Sequence, residues 1–176
     1  ITGCSSGQSA QAEEPIKTID EMAEEIISDM TLEEKVGQMF LVRYTDDEKA
    51  VSDIDKYKFG GYLLFAKDFQ DKTKDDVIKS VSDCQSASEV PLFIGVDEEG
   101  GIVNRVSKFP QFRNEPFKSP RELYNEGGYE LISSDTQEKC ELLKSLGINV
   151  NLAPVCDVSE NPDSFMYERT LGQDAD

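Results

Sequence analysis

The stretch Pro91-Leu-Phe-Ile-Gly-Val-Asp97-Glu98-Glu99-Gly100-Gly101-Ile102-Val103-Asn104-Arg105 constrains this chain more than any other. Its apolar run, Leu92 to Val96, stops abruptly at three carboxylates and two glycines. The run has the length and the Val/Ile/Phe content of a strand buried on both faces. Gly100 and Gly101 predict a turn that a side chain would resist, or a place where a ligand meets the main chain. Acidic residues at the C-terminal end of a buried parallel strand stand where open α/β sheets and α/β barrels hold their ligands. Asp97 follows the run directly, so it is expected at the strand tip, partly enclosed and functional. Glu98 and Glu99 read as solvated loop charges, because glutamate is rarely buried unless paired.

The segments on either side alternate between two periodicities. Ile19, Met22, Ala23, Ile26, Ile27 and Met30 recur at helical spacing, and Thr31-Leu-Glu-Glu34 reads as a capping box that opens a second, short helix. Met39–Val42 is a first short strand. Ala50, Val51, Ile54 and Tyr57 mark a helix, with Gly60-Gly61 ending the turn after it, and Tyr62–Phe65 is a second strand. Val77, Ile78, Val81 and Cys84 mark another helix, and Pro91 opens the third strand. Residues 104–134 read as irregular, with Pro110, Pro116 and Pro120 among Phe109, Phe112 and Phe117. Such a loop is either the wall of a site or a segment that its aromatics anchor on the domain. Ser134-Asp-Thr-Gln137 predicts a further capping box, before a helix with Cys140, Leu143 and Leu146 that Gly147 stops. Ile148–Ala153 is the fourth strand, followed by Pro154, Asp157 and a terminal loop. Strands alternating with helices argue a parallel sheet.

Composition narrows the function classes. The 176 residues suffice for one domain of ordinary size. A net charge of -18 repels nucleic acid and anionic lipid, so neither is expected as a partner. The chain has no histidine, which removes the commonest acid–base residue and the commonest metal ligand. No metal or cofactor is expected, since Cys4, Cys84, Cys140 and Cys156 form no C-x-x-C pair. Cys84, Cys140 and Cys156 are expected as buried free thiols. No stretch approaches the roughly 20 apolar residues that span a bilayer.

The first residues carry a separate signal. Ile1-Thr2-Gly3-Cys4-Ser5-Ser6 resembles a bacterial lipobox, and the small polar residues after it suit a flexible tether. Residues 1–18 are thus expected to be a lipoprotein N-terminus with lipid on Cys4. This would hold the protein on the extracellular face of a bacterial membrane.

Five segments together resemble glycoside hydrolase family 3 in its β-N-acetylhexosaminidase branch. Asp97-Glu-Glu-Gly-Gly-Ile-Val-Asn-Arg105 is similar to that branch's D-x-E-G-G-x-V-x-R motif. Met30-Thr-Leu-Glu-Glu-Lys-Val-Gly-Gln-Met39, Phe59–Phe65, Leu146–Asp157 and Glu168-Arg-Thr-Leu-Gly172 accompany it in the family's order. The resemblance runs from about Ile19 to Asp176. It implies that residues 19–176 are the N-terminal half of the family's barrel, the first half of a (β/α)8 TIM-type fold with about four parallel strands. It implies further that Asp97, Arg105 and Arg169 bind the sugar at the non-reducing end. A carboxylate can accept two hydroxyl hydrogen bonds and a guanidinium donates in a fixed fork, which suits those roles. Without the resemblance, the two arginines would read as surface charges.

The family's Lys-His sugar-contacting pair, its His-Asp acid/base dyad and its aspartate nucleophile are matched by nothing here. Asp157 lies in the A-P-V-x-D segment and is expected to pair with a cation or hold its loop. The chain is therefore expected to supply sugar-binding residues and no catalytic group, and to be inactive alone. The activity implied is that of a retaining exo-β-N-acetylhexosaminidase that removes terminal N-acetylglucosamine from cell-wall or other glycans. A β-glucosidase of the same family and a non-catalytic glycan-binding surface lipoprotein are the alternatives. A half barrel also exposes two sheet edges and an apolar inner face, so self-association is expected.

Overall fold

The structure, a computed structural model, describes residues 17–174. The chain divides into two units, Ile1–Thr31 and Leu32–Asp176. The described part of the first contains helix α1, Ile19–Asp29. Thr18 caps it by accepting from the Glu21 N–H, and the Glu21 carboxylate accepts from the Thr18 N–H in return. The lipid attachment expected at Cys4 lies outside the described residues.

The second unit runs α2 (Leu32–Gln38), β1 (Leu41–Arg43), α3 (Asp47–Tyr57), β2 (Gly61–Leu63), α4 (Lys74–Ala87), β3 (Phe93–Val96), α5 (Pro120–Ser145) and β4 (Val150–Asn151). The four strands form one parallel sheet in the order β1-β2-β3-β4, with Val42 opposite Tyr62, Tyr62 opposite Ile94, and Val96 opposite Asn151. Consecutive parallel strands joined by helices are the repeat from which (β/α)8 barrels are built. Each predicted strand is present, though shorter than its apolar run.

Helix starts are written in the local sequence. Asp46 accepts from the Lys49 N–H at the start of α3, and Thr73 and Asp76 form a capping box at the start of α4. The turn that ends α3 is made at Lys58, in the left-handed region at φ 52°, while Gly61 opens β2.

The core lies between one face of the sheet and the helices. Tyr62, Ile94 and Val96 pack with Ala50 and Ile54 of α3, Val77, Val81 and Cys84 of α4, and Leu143 of α5. The opposite face carries Leu41, Leu63 and Val150 around Gly95. On that side Leu41 and Phe93 are exposed. Of the cysteines expected to be buried, only Cys84 is; Cys140 and Cys156 are exposed. Cys140 falls on the outer side of its helix and Cys156 on the loop after β4, where periodicity around a single residue carries little information.

The largest departure from the sequence reading is in residues 104–134. The irregular loop ends at Ser119, which caps α5 through a box with Glu122. Pro120 occupies the first turn of α5, where its missing N–H leaves no gap in the ladder. The helix kinks at Gly127-Gly128 and then continues to Ser145. The capping box expected at Ser134–Gln137 is absent, because these residues are interior to α5 and Ser134 donates back to the Leu131 carbonyl. The loop's aromatics are anchors. Phe112 and Phe117 are buried, Phe109 packs on the core, and Phe112 meets Phe69 edge-on at 5.8 Å.

Candidate functional site

The C-terminal ends of the strands bring the distinctive residues together. Asp97 follows β3 directly, as expected, and is partly enclosed. Its Oδ2 lies 3.2 Å from Arg105 Nη2. Phe65, just beyond β2, lies under two guanidinium groups. The Arg43 carbon, from the end of β1, is 4.7 Å from its ring centre, and that of Arg105 is 5.6 Å away. The guanidinium Nε of Arg105 is buried with no hydrogen-bond partner among the described residues. Arg105 is thus held by a carboxylate at one end and an aromatic face beside it.

Glu98 and Glu99 are not solvated loop charges. Glu98 is fully buried. Its Oε2 accepts from the Arg105 and Val106 N–H groups at 2.7 Å each, and its Oε1 accepts from the Ser107 N–H at 3.0 Å and from the Ser107 hydroxyl. One carboxylate therefore satisfies three successive backbone donors, and the chain leaving the glycine turn wraps around it. Its own main chain is fixed by Asn151, whose side-chain amide accepts from the Glu98 N–H at 2.9 Å and donates to the Glu98 carbonyl at 3.1 Å. Asn149 acts at the other end of β3, where its side-chain amide accepts from the Ile94 N–H and donates to the Leu92 carbonyl. These two asparagines extend the β3–β4 pairing with side chains where β4 is only two residues long.

Glu99 is buried because it is paired. Its carboxylate takes Arg169 through Nε at 2.9 Å and Nη2 at 2.6 Å, a bidentate contact across 70 positions of sequence. That contact pushes the guanidinium's pKa further above its ordinary value, and the negative charges of Asp157 and Asp97 add to the effect. Lys139 of α5, also buried, donates to the Glu99 carbonyl at 3.1 Å and lies 3.3 Å from Asp135.

The glycine turn is a turn in the main chain, and the segment that approaches it is the protein's own. Gly100 and Gly101 have φ of 101° and 63°. A Cβ on Gly100 would sit 2.1 Å from the Lys118 carbonyl oxygen, and one on Gly101 would sit 2.7 Å from the Ser119 Cβ. Residues 117–119 therefore close over the turn, with the Gly101 N–H donating to the Phe117 carbonyl at 2.8 Å.

The three residues predicted to bind sugar thus belong to one constellation. Asp97 and Arg105 touch, and Arg169 reaches the same loop through Glu99. The sequence reading missed Glu98, Glu99, Lys139 and Asn151. The signal available for the first two was their place immediately after a buried strand, and for Asn151 its alternation with Asn149. A cavity of about 640 Å³ opens beside Glu99, Lys139 and Asp157, between α5 and the segment after β4. Asp97, Arg105 and Arg169 do not line it. Among the described residues no cluster of acids and cysteines is arranged to hold a metal, and no helix is long and apolar enough to cross a membrane.

Residues 31–176 match the family described as the glycosyl hydrolase family 3 N terminal domain, and the chain belongs to that family. Beta-hexosaminidase A of Pseudoalteromonas piscicida is 34% identical over 115 residues, which is 63% of this chain and 19% of that protein. Beta-hexosaminidase LpqI of Mycobacterium tuberculosis is 28% identical over 142 residues, 80% of this chain and 35% of that protein. The solved structure of M. tuberculosis LpqI superposes with a TM-score of 0.71 at 24% identity, covering 83% of this chain and 41% of that one. A family 3 β-N-acetylglucosaminidase structure from Paenibacillus sp. gives 0.70 at 27% identity, covering 78% and 26%. The chain therefore spans about a fifth to a third of the length of these curated relatives. Its four-stranded parallel sheet is the first half of the family's TIM-barrel-like N-terminal fold.

Proposed function

We propose that this chain forms the non-reducing-end sugar pocket of a retaining, exo-acting β-N-acetylhexosaminidase that releases terminal N-acetylglucosamine from cell-wall or other glycans. The observation that carries the reading is the Asp97–Arg105 contact beside the Glu99–Arg169 pair, all at the C-terminal end of the sheet. Asp97 uses only Oδ2 for Arg105, so Oδ1 is available to accept from a sugar hydroxyl. Arg169 spends two of its five N–H donors on Glu99 and keeps others for a ligand oxygen. These groups bind and orient. The acid/base and the nucleophile that glycoside hydrolysis requires are a separate pair of groups around the anomeric carbon, and no residue described here takes either role. The names of the relatives support the N-acetylhexosaminidase reading over a β-glucosidase or a glycan binder without activity.

The test is hydrolysis by the complete protein of chromogenic N-acetyl-β-glucosaminide and β-glucoside in parallel. A higher kcat/KM on the N-acetylglucosaminide is expected. Faster turnover of the glucoside favours the β-glucosidase reading, and saturable glycan binding without turnover of either favours the binder. The chain by itself is expected to turn over neither. Lipid on Cys4 and display on the outer face of a bacterial membrane belong to the same proposal. In the native host, Cys4→Ala should release the protein into the soluble fraction, and continued membrane association would refute the anchor.

A further inference from the structure

We infer that Glu99 is a positioning residue, which fixes the guanidinium of Arg169 for the sugar; this rests on the reading above that Arg169 contacts the ligand. Arg169 needs such a partner. It sits in a run of turns after Asn161, in which the Arg169 N–H donates to the Met166 carbonyl at 2.9 Å, and no helix or strand supports it. Its neighbour Phe165, 5.0 Å from the guanidinium carbon, is itself exposed. A long side chain on a loop samples many rotamers, and a ligand that must select one of them binds more weakly.

Glu99 is the opposite kind of residue. Its N–H donates to the Val103 carbonyl at 3.0 Å, and its own carbonyl accepts from the buried Lys139. Lys139 is in turn set by Asp135 on the same helix. The main chain of Glu99 is therefore tied to the glycine turn on one side and to α5 on the other. Its carboxylate then grips the Nε–Nη2 edge of Arg169, which fixes the plane of the guanidinium as well as its position. What remains is the Nη1 end, 3.4 Å from the Met166 sulfur, together with the second Nη2 proton. Thus Glu99 defines which donors Arg169 can present and in what direction. Asp97 lies two residues earlier on the same strand exit, so the two sugar-binding groups share one support.

A structural role alone would tie the loop down without shaping ligand contact, and a double-mutant cycle separates the two. In the complete protein, kcat and KM are measured on a chromogenic N-acetyl-β-glucosaminide for Glu99→Gln, Arg169→Met and the double variant, with melting temperature followed in each. If Glu99 acts through Arg169, Glu99→Gln lowers kcat/KM by about 10–100-fold, by analogy with the loss when the partner that orients a metal ligand is removed. The double variant then falls no further than Arg169→Met alone, within about twofold on the same argument. Independent, multiplying losses overturn the inference. So does a normal kcat/KM in Glu99→Gln when Arg169→Met is impaired. If Arg169→Met is itself unimpaired, the sugar-site reading of Arg169 fails and this inference fails with it. Should Glu99→Gln not fold, Glu99→Asp carries the same cycle, since it keeps the charge but withdraws the carboxylate by one methylene. The same pattern is then required of it.

Discussion

Glu98 is the residue whose replacement tests the structure most severely. In Glu98→Ala the Arg105, Val106 and Ser107 N–H groups lose their acceptor inside the protein. The Ser107 hydroxyl does not, because Asn104 Oδ1 lies 3.1 Å from it and can take the bond. A buried donor left unpaired costs about 1–3 kcal/mol, so three of them set a range of about 3–9 kcal/mol. Water entering the space of the lost side chain brings the expected value to the lower part, about 3–5 kcal/mol. Glu98→Gln keeps the shape. Its amide oxygen, placed at the Oε2 position, still accepts from Arg105 and Val106; its NH₂ then meets the Ser107 hydroxyl, which can turn its proton to Asn104 Oδ1, and the Ser107 N–H, which cannot turn away. The cost is one orphaned donor, about 1–3 kcal/mol. The assay is urea unfolding of the two variants beside the parent, read by far-ultraviolet circular dichroism and compared at equal m-value. Glu98→Ala should be the less stable by about 2 kcal/mol, from the difference in orphaned donors. Equal midpoints for Glu98→Ala and the parent would show that the carboxylate is not what holds the loop. Equal losses in the two variants would show that hydrogen-bond count is the wrong basis for the estimate.

Three further outcomes are expected. Asp97→Ala should lower kcat/KM of the complete protein by roughly 30–150-fold, the equivalent of about 2–3 kcal/mol for a charged acceptor, and should move the melting temperature little. A lowered melting temperature with normal kinetics would instead make Asp97 merely the partner of Arg105. Burial pushes the Cys84 thiol up to about 11, and the negative charges of Asp47 and Asp83 act in the same direction. An unfolded thiol loses its proton near 8.5, so the stability contributed by keeping Cys84 protonated is whole below about pH 8.5 and is lost as pH rises towards about 11. Burial raises Tyr44 and Tyr62 as well, which adds to the fall at high pH. Alkaline titration of the folded signal checks this, and Cys84→Ser should flatten the slope; an unchanged slope would remove Cys84 as a cause. Finally, Leu41, Phe93 and Leu152 are exposed on the isolated chain, so light scattering should find a dimer or larger species, and a compact monomer would contradict it.

What could be read without coordinates is the information that short-range pattern carries. Three apolar runs of four or five residues and the alternating stretch Ile148–Ala153, set between helical periodicities, predicted four parallel strands, and β1 to β4 fall inside or beside them, because a buried strand needs little beyond its own apolar residues. The place of Asp97 followed from the same logic, since the end of an apolar run is the end of a strand. The family motif, five segments in order, identified the chain before any contact was known. Local reading failed where one signal has two structural meanings. Pro120 and Gly127-Gly128 look like loop punctuation, yet the first sits in an opening helical turn and the others only kink α5.

It failed altogether for the acids beside Asp97. Whether a glutamate is solvated or buried depends on the donors around it. For Glu98 these are three N–H groups delivered by the glycine turn, and for Glu99 they are an arginine 70 residues away. Strand identity is settled by neighbours in sequence, whereas burial of a charge is settled by whichever partners the closed fold carries to it. Only the tertiary structure brings Arg169 and Lys139 to Glu99, and so turns a pair of apparent surface charges into the frame of the candidate site.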